Sequence, residues 1–127
     1  MTAATISALK QLAYVVSDVP RAVAFFQQLG LPLLFQPSAQ LAFMAIGPVR
    51  LMLTQPQGAG MVGQNSVLYL QCQQIEAEYL RLLAADIPGE KAPHCAAQMG
   101  DYDLWLAFFR DPDGNLLALL EEKLTNS

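Results

Sequence analysis

"FFRDPDGNLLALLEE", residues 108–122, sets four acids and a Pro-Gly bend in an otherwise apolar run. Counted from Asp111, side-chain oxygens fall at positions one (Asp111), three (Asp113), five (Asn115) and twelve (Glu122), the spacing of an EF-hand calcium loop. That loop also needs Gly at position six and a long amphipathic helix on each side. Position six is Leu116, the glycine is Gly114 at position four, and the flanks "LWLAFF" and "LLALLEE" are short, densely apolar strand-like runs. Asp111, Pro112 and Gly114 instead fit a type I turn closed by a left-handed residue. The stretch therefore reads as a hairpin between two strands, and its acids as turn builders.

The chain's 127 residues suffice for one domain with a real core and are too few for two ordinary ones. Apolar residues make up 54% and charged residues 14%, so a compact fold is expected that hides further surface in a homodimer or a ligand pocket. The net charge of −4 and the scatter of the seven Lys and Arg residues argue against nucleic acid as a partner, since phosphate binding needs a clustered positive field. The opening "MTAATISALK" lacks a charged region followed by an apolar stretch, so neither a signal peptide nor a membrane span is expected. Cys72 and Cys95 show no zinc spacing and suit a reducing, cytoplasmic setting.

Outward from the turn, the chain reads as a repeated pattern. "LKQLAYVVSD" is a strand candidate running into a cap at Asp18, and Pro20 suits a first helical turn. Val19, Val23, Phe26 and Leu29 recur at helical spacing up to Gly30. Strand candidates follow at 33–36, 40–46 and 49–54, the last two joined by Gly47-Pro48. Residues 55–65, "QPQGAGMVGQN", read as a linker. Then "SVLYLQC" resembles a strand, "QQIEAEYLRLLAADI" an amphipathic helix, and strand candidates recur near 93–98, 103–110 and 115–121. A self-shift of 56 pairs Val19 with Ile75, Val23 with Tyr79, Phe26 with Leu82 and Pro32 with Pro88, keeping the apolar phase. The spacing predicts two strand-helix-strand-strand-strand modules, about 8–54 and 66–123, in one domain. A ferredoxin-like alternative would need only two strands between its helices, and 33–54 holds three.

An aromatic strand, the "DPDGN" turn and a last strand ending in "LLEE", preceded by "VVSDVPRAVAFFQQLGLPLLF", resemble the vicinal oxygen chelate superfamily of glyoxalases, bleomycin-resistance proteins and extradiol dioxygenases. The resemblance runs from about Leu9 to Lys123. It implies an α+β fold: two βαβββ modules forming an open, cup-shaped mixed β-sheet with helices on the outside. It also implies, in the family's enzymes, one divalent metal held by His or Glu from the first and last strand of each module. Such a metal chelates two neighbouring substrate oxygens and stabilises an enolate-like anion.

Carried over residue by residue, those ligand positions are Gln11, Met52, Val67 and Ala118. None is His, Asp or Glu. A one-residue slip would substitute Leu51, Leu53, Leu68, Leu117 or Leu119, which are also apolar. The family scaffold is thus expected without its metal, and without another cofactor.

If the four positions point inward, their second neighbours Ala13, Val15, Arg50, Thr54, Tyr69, Gln71, Leu116 and Leu120 do too. This lining suits an apolar or aromatic organic ligand. Arg50 would have to find an anion there, on the ligand or at Asp113 or Glu121, or else reach solvent. His94, the sole histidine, is a candidate general base or ligand-orienting donor, though a backbone-bonded surface histidine is the commoner case. Trp105 and Tyr102 are read as an aromatic wall or as core or dimer contact, Asp101 and Asp103 as a solvated loop, and Glu121 and Glu122 as surface charge.

The expected function is a metal-independent small-molecule-binding protein of the bleomycin-resistance kind. Its pocket would be formed by Gln11, Arg50, Met52, Thr54, Val67, Tyr69, Gln71, Trp105 and Ala118. The alternative is a lyase, isomerase or epimerase-like enzyme using His94 or a carboxylate as acid and base. A third reading is a dimeric module without a ligand, its cavity filled by Phe43, Met44, Met52 and Trp105.

Overall fold

The expected element order occurs twice in the structure, a computed structural model that describes residues 2–58 and 60–125. The first module runs β1 (Gln11–Val15), α1 (Val19–Gln28), β2 (Leu33–Ser38), β3 (Leu41–Ile46) and β4 (Val49–Thr54). The second runs β5 (Leu68–Gln71), α2 (Ile75–Ala84), β6 (Gly89–Gln98), β7 (Tyr102–Arg110) and β8 (Leu116–Leu124). Both helices have the same length, and α2 begins and ends 56 residues after α1. The chain divides into two compact units between Val62 and Gly63. Several boundaries depart from the sequence reading: the first strand starts only at Gln11, α2 ends at Ala84, the strand expected near 93–98 already begins at Gly89, and the last strand runs on to Leu124.

Each module builds a four-stranded mixed sheet, in the order β1-β4-β3-β2 and β5-β8-β7-β6. First and last strands pair in parallel, and the other neighbours are antiparallel. The three strands after α1 set this apart from the ferredoxin-like alternative. The register also verifies the internal repeat, because Ala13 pairs with Met52 as Tyr69 pairs with Ala118.

In module one, α1 packs on β3 and β4. Its Val19, Ala22, Val23 and Phe26 fall at the i, i+3, i+4, i+7 spacing that makes one apolar stripe, and all are buried. They meet Ala42, Met44, Leu51 and Leu53, each with no exposed surface. Tyr14 and Phe25 set their rings edge-on to Phe26, at 5.5 and 5.3 Å between centroids. In module two, Ile75, Tyr79 and Leu82 of α2 are buried in a core that also holds Ala107, Phe109, Leu117 and Leu119. Gly89 is required at the start of β6, since a Cβ there would collide with the Tyr79 hydroxyl and stand 2.9 Å from a Leu83 methyl.

The modules cap their helices differently. The Asp18 carboxylate accepts from the Arg21 amide at 2.9 Å, the local cap expected from the sequence. In module two, Gln74 is left-handed (φ 56°) and offers no side-chain cap. Instead Glu121 reaches over from β8, and its Oε1 accepts from the Ile75 amide at 2.9 Å. Glu121 is therefore not free surface charge: it satisfies an orphan donor and places a negative charge at the positive end of α2. Beside it, Lys123 contacts Glu76 at 2.5 Å and lies 4.3 Å over the Trp105 ring. The Lys123 hydrogen bond holds the Glu76 carboxyl below its ordinary value. Burial, followed by the charges of Glu78, Glu121 and Glu76, pushes the Cys72 thiol up to about 11, which leaves it a weak nucleophile.

The 111–115 turn is a closed network. Asp111 Oδ1 accepts from the amides of Asp113 (3.0 Å) and Asn115 (2.7 Å), and Oδ2 accepts from Asn115 Nδ2 (2.8 Å). Gly114 takes φ +81°, and its amide donates to the Asp111 carbonyl at 3.0 Å. Asn115 Oδ1 in turn accepts from Asn65 Nδ2 at 3.2 Å, which ties the end of the linker to the hairpin. Both Asp111 oxygens are thus engaged by N–H donors, the reverse of what a calcium ligand needs. Among the described residues, no helix is long and apolar enough to cross a membrane.

Two substitutions test these supports. Asp111→Ala strips three hydrogen bonds from a buried turn and is expected to cost roughly 2–4 kcal/mol, read as a lowered denaturant midpoint. Glu121→Ala is expected to cost about 1 kcal/mol through the lost cap, while Glu122→Ala stays within about 0.5 kcal/mol; equal effects would show that Glu121 does not cap α2.

Candidate functional site: the open face of module one

Strand alternation sends the residues between those core positions to the face away from α1. Gln11 pairs directly with Arg50 and Ala13 with Met52, and Met52 pairs onward with Phe43. Gln11, Arg50, Met52 and Phe43 therefore share one face, as the sequence parity predicted for the first three. A cleft of about 450 Å³ is lined by Gln11, Leu34, Phe35, Phe43 and Arg50. Its outer wall is the edge strand β2, where Leu34 and Phe35 stay 54% and 63% exposed, more than their apolar character favours. The sequence reading missed Leu34 and Phe35 as lining residues. The signal was the run "LPLLF", in which adjacent apolar residues cannot all face a core from an edge strand.

The polar centre of this face is a chain of side chains. Arg50 Nε donates to Gln11 Oε1 at 2.8 Å, and Gln11 Nε2 points at Met52 Sδ, 3.8 Å away. Arg50 is half-buried, and no acid among the described residues lies within ion-pairing distance of it. The two acids anticipated as its partners are engaged elsewhere: Glu121 caps α2, and Asp113 belongs to the hairpin turn. Thr54, expected in the pocket, is buried, and its hydroxyl donates to the Gln55 carbonyl at 3.0 Å.

In module two, Tyr69, Ala118 and Phe108 lie side by side across β5, β8 and β7. The Tyr69 and Phe108 rings meet edge-on at 6.3 Å, and His94 stacks on Phe108 at 6.3 Å and 28°. Gln71 is exposed, on the same strand face as Tyr69. His94 Nδ1 lies 2.9 Å from the Ala92 carbonyl, which only accepts, so Nδ1 is the donor in this contact. No carboxylate among the described residues bonds to the ring, so the orienting acid of a strong general base is missing. Trp105 is a correction. It pairs with Glu121 and lies under Lys123, on the face that carries α2, opposite Tyr69 and Phe108. Its indole supports the Lys123–Glu76 contact instead of lining a pocket. Val67 precedes the first residue of β5, and Ala118 has no exposed surface. Met44, named as a possible cavity filler, belongs to the helix-side core. Asp103, read as loop, is part of β7, with a buried Oδ1 that has no hydrogen-bond partner.

The residues at the family's ligand positions do not fit a divalent metal. Gln11 offers one amide oxygen, Met52 a soft thioether, and Val67 and Ala118 nothing. The one hard donor is already bonded to a guanidinium, whose positive charge repels a second cation. No group of three or more His, Cys, Asp or Glu residues suited to a metal occurs among the described residues.

Residues 8–119 match the family model described as the glyoxalase/bleomycin resistance protein/dioxygenase superfamily. Among solved structures, a lactoylglutathione lyase from Agrobacterium tumefaciens is 26% identical, with 92% of this chain and 95% of that chain covered and a TM-score of 0.72. A superfamily member from Sphaerobacter thermophilus is 23% identical over 92% of this chain and 98% of its own, with a TM-score of 0.78. A virulence protein from Salmonella typhimurium is 20% identical over 93% and 98%, with a TM-score of 0.76. No curated protein gives a significant match. With the family model spanning nearly the whole chain and the two βαβββ modules in place, this protein belongs to the glyoxalase/bleomycin resistance protein/dioxygenase superfamily.

Proposed function

We propose that this chain is a metal-independent small-molecule-binding member of the superfamily, taking an apolar or aromatic organic ligand against the open face of module one. The observation that carries this is the Gln11–Arg50 bond. It uses the only hard donor at the family's ligand positions and puts a fixed cation beside it. Around that pair the cleft is walled by Leu34, Phe35 and Phe43, and its volume of about 450 Å³ lies in the range of small-molecule sites. Burying the exposed parts of Leu34 and Phe35 under a ligand supplies the driving force, at about 25 cal/mol per Å² of apolar surface.

A homodimer in a cytoplasmic setting belongs to the same reading. It is supported by the apolar-rich composition and by the two unpaired thiols. The lyase activity named for the Agrobacterium structure is not carried over, because the residues at the metal positions here lack the donors for metal chemistry.

Calorimetric titration with nickel, manganese, zinc and ferrous ions is expected to show no tight site. A micromolar or tighter site lost in Gln11→Ala would overturn the metal-independent reading. His94→Ala is expected to leave ligand affinity within about twofold. A turnover found in a substrate screen and abolished by that change would favour the enzyme reading.

A further inference from the structure

We infer that the ligand of this cleft is an organic acid: an aromatic or branched apolar body bearing a carboxylate or a comparable planar anion, gripped by Arg50. The inference rests on the cleft being a small-molecule site and adds the chemical class of what enters it.

Arg50 stands on a face whose neighbours, Gln11, Ala13, Met52, Phe43 and Ala45, carry no charge. Its Nε is taken by Gln11 Oε1, which fixes the plane of the guanidinium. The terminal nitrogens make no hydrogen bond or ion pair to any described residue. A guanidinium held at Nε presents its two Nη groups as a fork, the geometry that matches two oxygens on one carbon. A neutral ligand covering the cleft would strip water from this cation and return at most hydrogen bonds to an uncharged acceptor. An anionic ligand would offset that desolvation with charge-assisted hydrogen bonds. The cation is particular to module one: Gln11 pairs with Arg50, whereas the matching place in module two, two residues before Ala118, holds Leu116. The fork matches a planar anion through charge and paired hydrogen bonds, but an arginine lacks Lewis-acid strength. It therefore holds a stable anion and does not create one.

The test uses 2-naphthoate and 2-naphthamide, which share the ring and differ in the charge of the head group. Binding to the full chain is measured by calorimetry at low ionic strength and located by amide chemical shifts. Naphthoate is expected to bind about tenfold tighter than naphthamide or better, with shifts at Gln11, Phe43 and Arg50. Arg50→Gln, shown folded by circular dichroism, is expected to bring the two to equal affinity while naphthamide changes by less than about twofold; Arg50→Lys keeps part of the preference, as a charge without the fork. Equal affinities in the wild type, or a preference that survives Arg50→Gln, overturn the acid inference and leave the cleft as a small-molecule site. Failure of both probes to bind overturns the two readings together.

Discussion

The parallel pairing of each module's first strand with its last is the constraint on which the rest depends. A helix and two further strands intervene between β1 and β4, so their ladder is closed by long-range contacts and by the helix crossing one face. Once Gln11 is set opposite Arg50, strand alternation determines every other side chain: Tyr14, Leu51 and Leu53 go beneath α1, and Gln11, Arg50 and Met52 go to the open face. A slip of one residue would bury the arginine in the helix-side core, where an unpaired charge costs several kcal/mol. The polar residues of the cleft thus help to define the register that creates it.

The two modules share a plan and have diverged in their fastenings. Module one caps its helix from the neighbouring loop through Asp18, and ends it with Gly30 at φ +96°. Module two has no local side-chain cap at Gln74, holds Asp86 at φ 63° where module one has glycine, and is capped by Glu121 from the far end of the chain. A remote cap couples α2 to β8 in a way a local one would not, and Lys123 strengthens that link by contacting both Glu76 and Trp105. Trp105 stands on the helix side because it shares strand parity with Ala107 and Phe109, which explains why an aromatic residue expected at the pocket is absent from it.

The positions that the family resemblance assigns as metal ligands hold Gln11, Met52, Val67 and Ala118 in this chain, on a ladder that repeats in both modules. Met52 and Ala118 occupy equivalent places in the two sheets, which the register shows independently of any alignment. Arg50, with its Nε on Gln11, puts a positive charge on that face and is the feature around which an acidic ligand is proposed.

The sequence by itself determined the module order, the offset of 56 and the turn at Asp111–Asn115. All of these follow from local periodicity, turn chemistry and residue type, which act within a few positions of the chain. It also carried the parity that places Gln11, Arg50 and Met52 together. It did not reveal that Glu121 caps α2, that Trp105 lies beneath Lys123, or that Leu34 and Phe35 form the cleft wall. Each of those depends on which strand lies at a sheet edge or on which residues meet across strands and helices far apart in the chain. Only the closed ladder decides such contacts, because their free energy comes from neighbours that the chain order does not name.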